Sequence, residues 1–453
     1  MDIKQKIDTS PMQPIQFAVI AVCVLLNMLD GFDVLALAFS ASHISDEWSL
    51  SGSQLGLLLS AALLGMAIGS MVVSQIADII GRRRTIIICA LMVSAGMALS
   101  AVSTGFTFLL VVRVLTGLAI GTLQACLNVM VAEYASAKHR STAISFYTAG
   151  QPIGGTVGGI IAGVLLAQFD WRAVFVFGAV ATFVVALLAI AVLPESLDYL
   201  VSRRPKDALT RINEIMAKLR QPALEAMPEM SDVPNTAKTR WKGIVSGPSL
   251  VTTVLLGFAF FVLMAAFYFA NSWTPKLLVD SGFTAADGVQ AGVLFSAGGI
   301  AGALIFGPVA MRLGVRRAVT ILFALAGGAF VLYALSVDAL TTAYIAAALL
   351  GLLTSAVMAG MFTIGPMYYE PEVRATAVGL IIGIGRVGAI ISPIVAGWLL
   401  DADWAPGTLY YLFALPLLAG AAAIFAMRSR RPVLAENAGL SDRKATDSQR
   451  VSR

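Results

Sequence analysis

Twelve stretches of about 20 or more apolar residues, separated by short polar turns, run through this chain, and each is long enough to cross a bilayer as a helix. They fall near residues 15–40, 53–76, 85–104, 106–133, 141–168, 172–194, 248–273, 285–311, 317–337, 339–367, 374–400 and 406–427. Of the 453 residues, 58% are hydrophobic and only 13% are charged, against about 25% charged in soluble domains. A water-soluble globule is excluded, and an all-α polytopic membrane protein is expected. The first stretch is too long for a signal-peptide core, lacks a small-x-small cleavage site and carries two acids, so it reads as a retained span.

Orientation follows from the basic residues. With both termini in the cytoplasm, all but four of the 31 lysines and arginines fall on that side. The four are Arg172 and Lys276 in outer turns, and Arg113 and Arg386 within spans. The positive-inside rule selects this topology. It also accounts for the net charge of +5 without a nucleic-acid partner, for which no motif is present. Cys23, Cys89 and Cys126 lie in spans without metal-ligand spacing and read as small packing residues. No metal or organic cofactor is expected, and no nucleophile-base constellation or nucleotide loop marks an enzyme.

The chain repeats itself. Ser74-x-x-x-Asp78-x-x-Gly81-Arg82-Arg83-Arg84 is echoed by Gly307-x-x-x-Met311-Arg312-x-Gly314-x-Arg316-Arg317, with Gly81 and Gly314 separated by 233 residues. The same offset links Ile15 to Pro248 and Gly150 to Gly383. Two parallel six-helix halves are therefore expected, at 1–194 and 248–427. A polar cytoplasmic connector at 195–247, with a short amphipathic helix near 206–220, and a cytoplasmic tail at 428–453 complete the division.

At these residues the chain resembles a known family. Ala77-Asp78-Ile79-Ile80-Gly81-Arg82-Arg83-Arg84 is similar to the loop 2–3 signature of the major facilitator superfamily, and Arg113-Val-Leu-Thr-Gly117-Leu-Ala-Ile-Gly121 to its fourth-helix signature. Leu29-Asp30-Gly31-Phe32-Asp33, Leu193-Pro194-Glu195-Ser196-Leu197 and Asn271-Ser272-Trp273-Thr274-Pro275 further resemble the aromatic acid:proton symporters. The resemblance implies a twelve-helix transporter of the bacterial cytoplasmic membrane, working as a monomer, whose partners are protons and a benzoate-like, hydroxybenzoate-like, muconate-like or phenoxyacetate-like anion. Ser74 stands where the loop signature has its first glycine, and Met311 where its second copy has an acid. Those departures weaken an ion-pair gate in the C-terminal half.

Charges inside the spans are the candidate machinery. One carboxylate at a helix centre costs about 2.5–3.5 kcal/mol on the lenient insertion scale, so Asp30 and Asp33, three apart on one face, need a compensating use, most often a proton or ion pathway. Burial favours the protonated form of a carboxylate, more so beside a second acid. Asp33 is expected to titrate with Asp30 as its partner, although nothing in the sequence separates them. The glycine between them admits another backbone or a substrate. Arg386, flanked by Gly383, Gly385 and Gly388 and matched by uncharged Ile153 in the other half, is the expected grip on a substrate carboxylate. Arg113 is expected to pair with the first helix and tune proton release. Two static ion pairs clamping helices remain the alternative.

Tyr268 and Asn271 share a face of the seventh helix and are expected to meet the substrate's ring and hydroxyl groups. Gln124 and Asn128 on the fourth helix and Tyr147 on the fifth are further candidates for the cavity wall; Phe267, Phe269 and Trp273 read as packing. His43 reads as an external loop residue. Gating is expected from Asp78 with Gly81, Arg82 and Arg84, and from Glu133 with Arg140, with Glu370 and Arg374 in the matching place after the tenth helix. Glycines at 150, 154, 155, 158 and 159 give the fifth helix small-residue packing surfaces. The whole reads as a proton-coupled importer of an aromatic or related organic acid by alternating access. Drug:proton antiport and sugar or dicarboxylate symport are the alternatives within the fold, and a transport-deficient receptor the remote one.

Overall fold

The computed structural model describes residues 3–227, 248–369 and 371–427. Hydrocarbon offers no water to an exposed peptide group, so an apolar span must satisfy its backbone within itself, and a helix does so. Among the described residues, twelve helices are long and apolar enough to cross a membrane. They are α1 (Pro14–Trp48), α2 (Gly52–Met71), α3 (Arg82–Ala101), α4 (Phe106–Tyr134), α5 (Arg140–Gln168), α6 (Arg172–Val192), α7 (Pro248–Asp280), α8 (Ala285–Leu313), α9 (Val315–Ser336), α10 (Leu340–Met367), α11 (Pro371–Asp401) and α12 (Pro406–Ala426). Local chemistry sets several starts: Ser51 with Gln54, and Thr284 with Asp287, form reciprocal caps on α2 and α8, and Pro406 opens α12. Helix α1 runs beyond the apolar stretch to Trp48. His43 therefore sits inside a helix, not in the loop expected for it, and its Nδ1 is buried without a partner.

The packing repeats after six helices. Helix α1 packs on α4, α5 and α6, as α7 packs on α10, α11 and α12; α2 packs on α4 as α8 does on α10; α3 packs on α4 and α6 as α9 does on α10 and α12. The backbone repeats with it. Gly81 (φ +102°, ψ 147°) and Gly314 (φ +81°, ψ 145°) make the same left-handed turn between the second and third helices of each half. Two residues on, Arg83 donates to the Ile190 carbonyl near the end of α6 and Arg316 to the Phe425 carbonyl near the end of α12, both at 2.6 Å. An exposed arginine on the last carbonyls of a helix answers the negative end of its dipole.

The halves join along α2–α11 and α5–α8, and principally at one end. There Gly52 and Gly397 lie against each other's carbonyls, Ser60 Oγ donates to the Ile390 carbonyl at 2.8 Å, and Gly155 and Gly159 face Ser296 and Val293. Toward the end carrying Arg82, Arg140 and Arg316 the seam parts. Phe146 on α5 and Leu304 on α8 are exposed, and nothing stands within 4 Å of a Cβ built on Gly307, Gly379 or Gly383. The molecule is closed at its Asp401 end and open at its basic end. The fifth helix uses its glycines on two sides: Gly154 lies on the Met28 backbone of α1, while Gly155 and Gly159 meet α8.

Short helices brace the basic end. Leu197–Arg203 is followed by Ala208–Lys218, which falls within the expected amphipathic stretch and buries Ala208, Ile212, Ile215 and Met216. The N-terminal helix Ile3–Thr9 buries Ile7, and Ser10 just after it accepts from Gln221 Nε2 at 2.8 Å. Residues 228–247 of the connector, Glu370 and the tail at 428–453 lie outside the described residues.

Candidate functional site

The two acids of α1 have different surroundings. Asp33 is fully buried and meets Arg113 of α4 in a two-pronged pair, Nη1 to Oδ1 at 2.8 Å and Nη2 to Oδ2 at 3.0 Å, with Nη2 also donating to the Asp33 carbonyl at 3.1 Å. Arg113 is itself only 1% exposed. Each charge is the other's counter-ion, which is the condition under which a buried pair is tolerated. Such a pair is a clamp between α1 and α4.

Asp30 is 3% exposed and has no such partner. Its Oδ2 accepts from Gln124 Nε2 at 2.5 Å, and its Oδ1 is buried with no hydrogen bond. Gln124 lies eleven residues after Arg113, about 16 Å along α4 at about 1.5 Å per residue, so the two acids do not share a partner. A neutral amide satisfies one oxygen and leaves the charge uncompensated. Among the described residues, an unpaired cation that acts on Asp30 is Arg386 on α11. It is half-buried, makes no hydrogen bond or ion pair with a described residue, and stands within electrostatic reach of both Asp30 and Tyr268. Asp30 from one half thus lies within electrostatic reach of Arg386 and Tyr268 from the other.

The surrounding residues hold this arrangement. Tyr147 hydroxyl donates to the Gln124 carbonyl at 3.3 Å, and Asn27 Nδ2 donates to the Tyr147 carbonyl at 2.6 Å. Tyr147 is therefore buried behind Gln124 as a support. Gly31, between the acids, lies directly on the Gln151 carbonyl of α5. The close approach it permits is to another backbone. Asn128, one turn from Gln124 toward the open end and on the same face, is exposed.

On α7, Tyr268 is half-buried beside Phe267, whose ring meets Phe295 at 5.6 Å. Asn271, three residues on, is 8% exposed and carries no side-chain hydrogen bond among the described residues. Phe269 is stacked on Phe413 at 4.2 Å in the C-terminal core, and Trp273 is buried with its Nε1 donating to the Pro393 carbonyl at 3.1 Å. Those two aromatics are packing.

The loop between α2 and α3 is a knot of charge, differently wired from the sequence expectation. Arg82 pairs with Glu133, lies 3.9 Å from both Asp78 and Asp198, and donates to Ser196 Oγ at 3.0 Å. Glu133 thus pairs with Arg82 and not with Arg140, which instead pairs with Asp8 of the N-terminal helix. Arg84 is exposed and makes no polar contact among the described residues, contrary to its expected pairing with Asp78. Arg83 and Glu195, not expected among the gating residues, do more: Arg83 Nε donates to the Leu193 carbonyl at 2.6 Å, and Glu195 Oε1 accepts from the Arg83 and Ser196 amides at 2.9 and 3.0 Å. The Glu195 carboxylate occupies the space where Gly81 lacks a side chain. All of these contacts lie within the N-terminal half and the start of the connector, and none reaches the C-terminal half. The recurrence of charged residues beside Gly81 and after α6 signalled the knot, but not its wiring.

Known proteins bear out the architecture. Residues 20–339 and 291–449 match the sequence profile of the Major Facilitator Superfamily. The chain is similar to the 4-hydroxybenzoate transporter PcaK of Pseudomonas aeruginosa, at 28% identity over 94% of this chain and 95% of that protein. It is similar to a gallate transporter of Pseudomonas putida, at 30% over 94% and 95%, and to a benzoate transport protein of Acinetobacter baylyi, at 28% over 95% and 93%. Among solved structures it resembles the xylose transporter XylE of E. coli in a partially occluded inward open conformation, with a TM-score of 0.70 over 90% of this chain and 97% of that one; at 15% identity the likeness concerns the fold.

Proposed function

Since this chain belongs to the Major Facilitator Superfamily, a family of transporters and not enzymes, we propose that it imports an aromatic carboxylate together with one proton by alternating access. The names of its relatives, transporters of 4-hydroxybenzoate, gallate and benzoate, point to the substrate class. The observation that carries the reading is the half-satisfied Asp30 carboxylate within electrostatic reach of Arg386 of the other half, which is unpaired among the described residues. Arg386 offers the planar fork that a carboxylate takes up with two parallel hydrogen bonds, and Tyr268 and Asn271 stand on the same side for the ring and its hydroxyls.

The coupling follows from charge balance. Empty, the site holds Asp33 with Arg113, and Asp30 opposite Arg386, so its four charges cancel. An incoming anion replaces Asp30 as counter-ion to Arg386, and Asp30 then takes a proton. The loaded site is again neutral, so both forms can close against water without stranding a charge. Since Asp33 is held by Arg113 in the form described, Asp30 is the proposed proton carrier, in place of the Asp33 preferred from sequence. One proton with one monoanion moves no net charge.

The basic residues orient the molecule in a bacterial cytoplasmic membrane with both termini inside. In that orientation the open end faces the cytoplasm and the form described is inward-open. One chain supplies both halves of the site, so a monomer suffices. The test is uptake of labelled 4-hydroxybenzoate into liposomes with an alkaline interior, with benzoate, gallate and glucose as competitors. Uptake that collapses with the pH gradient, is competed by the aromatic acids alone and ignores an imposed membrane potential is expected. A second proton would add about 2.3 kcal/mol of driving force per 100 mV, so potential-dependent uptake overturns the stoichiometry. Proton release on adding substrate outside overturns import and indicates antiport.

A further inference from the structure

At the closed end, the start of α2 is held from two sides. Its first three amides belong to Gly52, Ser53 and Gln54. The Gln54 amide donates to Ser51 Oγ at 3.2 Å, a cap from its own half. The other two donate across the molecule to one carboxylate: Gly52 N to Asp401 Oδ1 at 2.6 Å and Ser53 N to Asp401 Oδ2 at 2.9 Å. A carboxylate on the first turn also answers the positive end of the helix dipole. Beside it Gly52 and Gly397 lie too close for any side chain between them, so the helices cross in backbone contact where the carboxylate reaches over.

We propose that Asp401 is a latch that holds the two bundles together at this end and biases the protein toward the form open at its basic end. Among the described residues, the rest of the seam is glycine on carbonyl, apolar contact and the Ser60 bond, which can part and re-form with little directional penalty. Separating Asp401 from α2 breaks two charge-assisted hydrogen bonds at once and leaves both amides to water. The Ser51 and Ser53 hydroxyls of the first turn also lie within reach of the Asp401 carboxylate and belong to the latch. The latch is exposed, so solvent screening limits its strength, and the bias it supplies is about tenfold in the population ratio. It does not depend on what the substrate is. In the orientation proposed above it is the external gate.

The test is a distance measurement without substrate. Cys23, Cys89 and Cys126 are buried and are replaced by alanine. Spin labels go on Asp46→Cys and Ala405→Cys, exposed positions of opposite halves at the closed end, and separately on Phe146→Cys and Leu304→Cys toward the open end. Asp401→Ala is expected to raise the ratio of open to closed molecules at the first pair about tenfold, with the second pair moving oppositely. Asp401→Asn, which keeps shape and one acceptor oxygen, shifts it the same way by less and serves if the alanine variant does not fold. Thr284→Ala, which removes the own-half cap of α8, leaves the ratio unchanged. Distance distributions of both Asp401 variants that superimpose on the parent, or a shift in Thr284→Ala equal to theirs, overturn the latch.

Discussion

Asp30→Asn and Asp33→Asn are predicted to fail in different ways, and the difference tests the assignment of the proton. Asp33→Asn leaves Arg113, 1% exposed and already lacking a partner at Nε, with its charge unmatched. Removing one member of a buried pair costs about 3–5 kcal/mol, so the detergent-solubilised variant should melt well below the parent. Because the loss is electrostatic, Asp33→Asn with Arg113→Gln should recover most of it. Asp30→Asn removes a group with one bonded oxygen and one orphan, and the new amide oxygen can still accept from Gln124. Its stability should change by no more than about 1 kcal/mol, the net worth of an ordinary hydrogen bond. Its transport should change completely: no accumulation against a gradient driven by pH, while exchange of internal for external substrate, which needs no net proton transfer, continues. Melting curves and the two transport modes in liposomes decide the matter. Pump-competent Asp30→Asn, or Asp33→Asn with parental melting, would refute the reasoning.

Two further variants probe the site's geometry. Arg386→Lys keeps the charge and loses the two-pronged grip, so the KM for an aromatic acid should rise about 10- to 100-fold, the equivalent of about 1.5–3 kcal/mol in charged hydrogen bonding, with the rate at saturation less affected; a KM within twofold of the parent would mean that Arg386 does not hold the carboxylate. Gly31→Ala drives a methyl group into the Gln151 carbonyl, so α1 and α5 must part, and both thermal stability and uptake should fall while Gly383→Ala, with open space around it, keeps its melting temperature.

Much of this protein was determined by its sequence alone. Twelve apolar stretches in a medium without water leave helices as the economical outcome, the 233-residue offset carries the two-fold repetition of the bundles, and the intramembrane charges Asp30, Asp33, Arg113 and Arg386 announce themselves by their cost. Helix periodicity put Gln124 and Asn128 on one face. What periodicity cannot carry is which residue of one helix meets which of another, because that depends on the rotation and depth of each helix in the bundle. Only the tertiary structure gave Asp33 to Arg113 and left Asp30 half-satisfied before Arg386, so roles that sequence could not divide became separable. It also moved Glu133 from Arg140 to Arg82, brought Glu195 into the space that Gly81 leaves, and carried Asp401 to α2, some 350 residues away in the chain, where an acid at the end of a span had no distinguishing signal. Local order and burial are written in runs of a few turns; charge pairing across helices is a property of their packing, and the packing decides it.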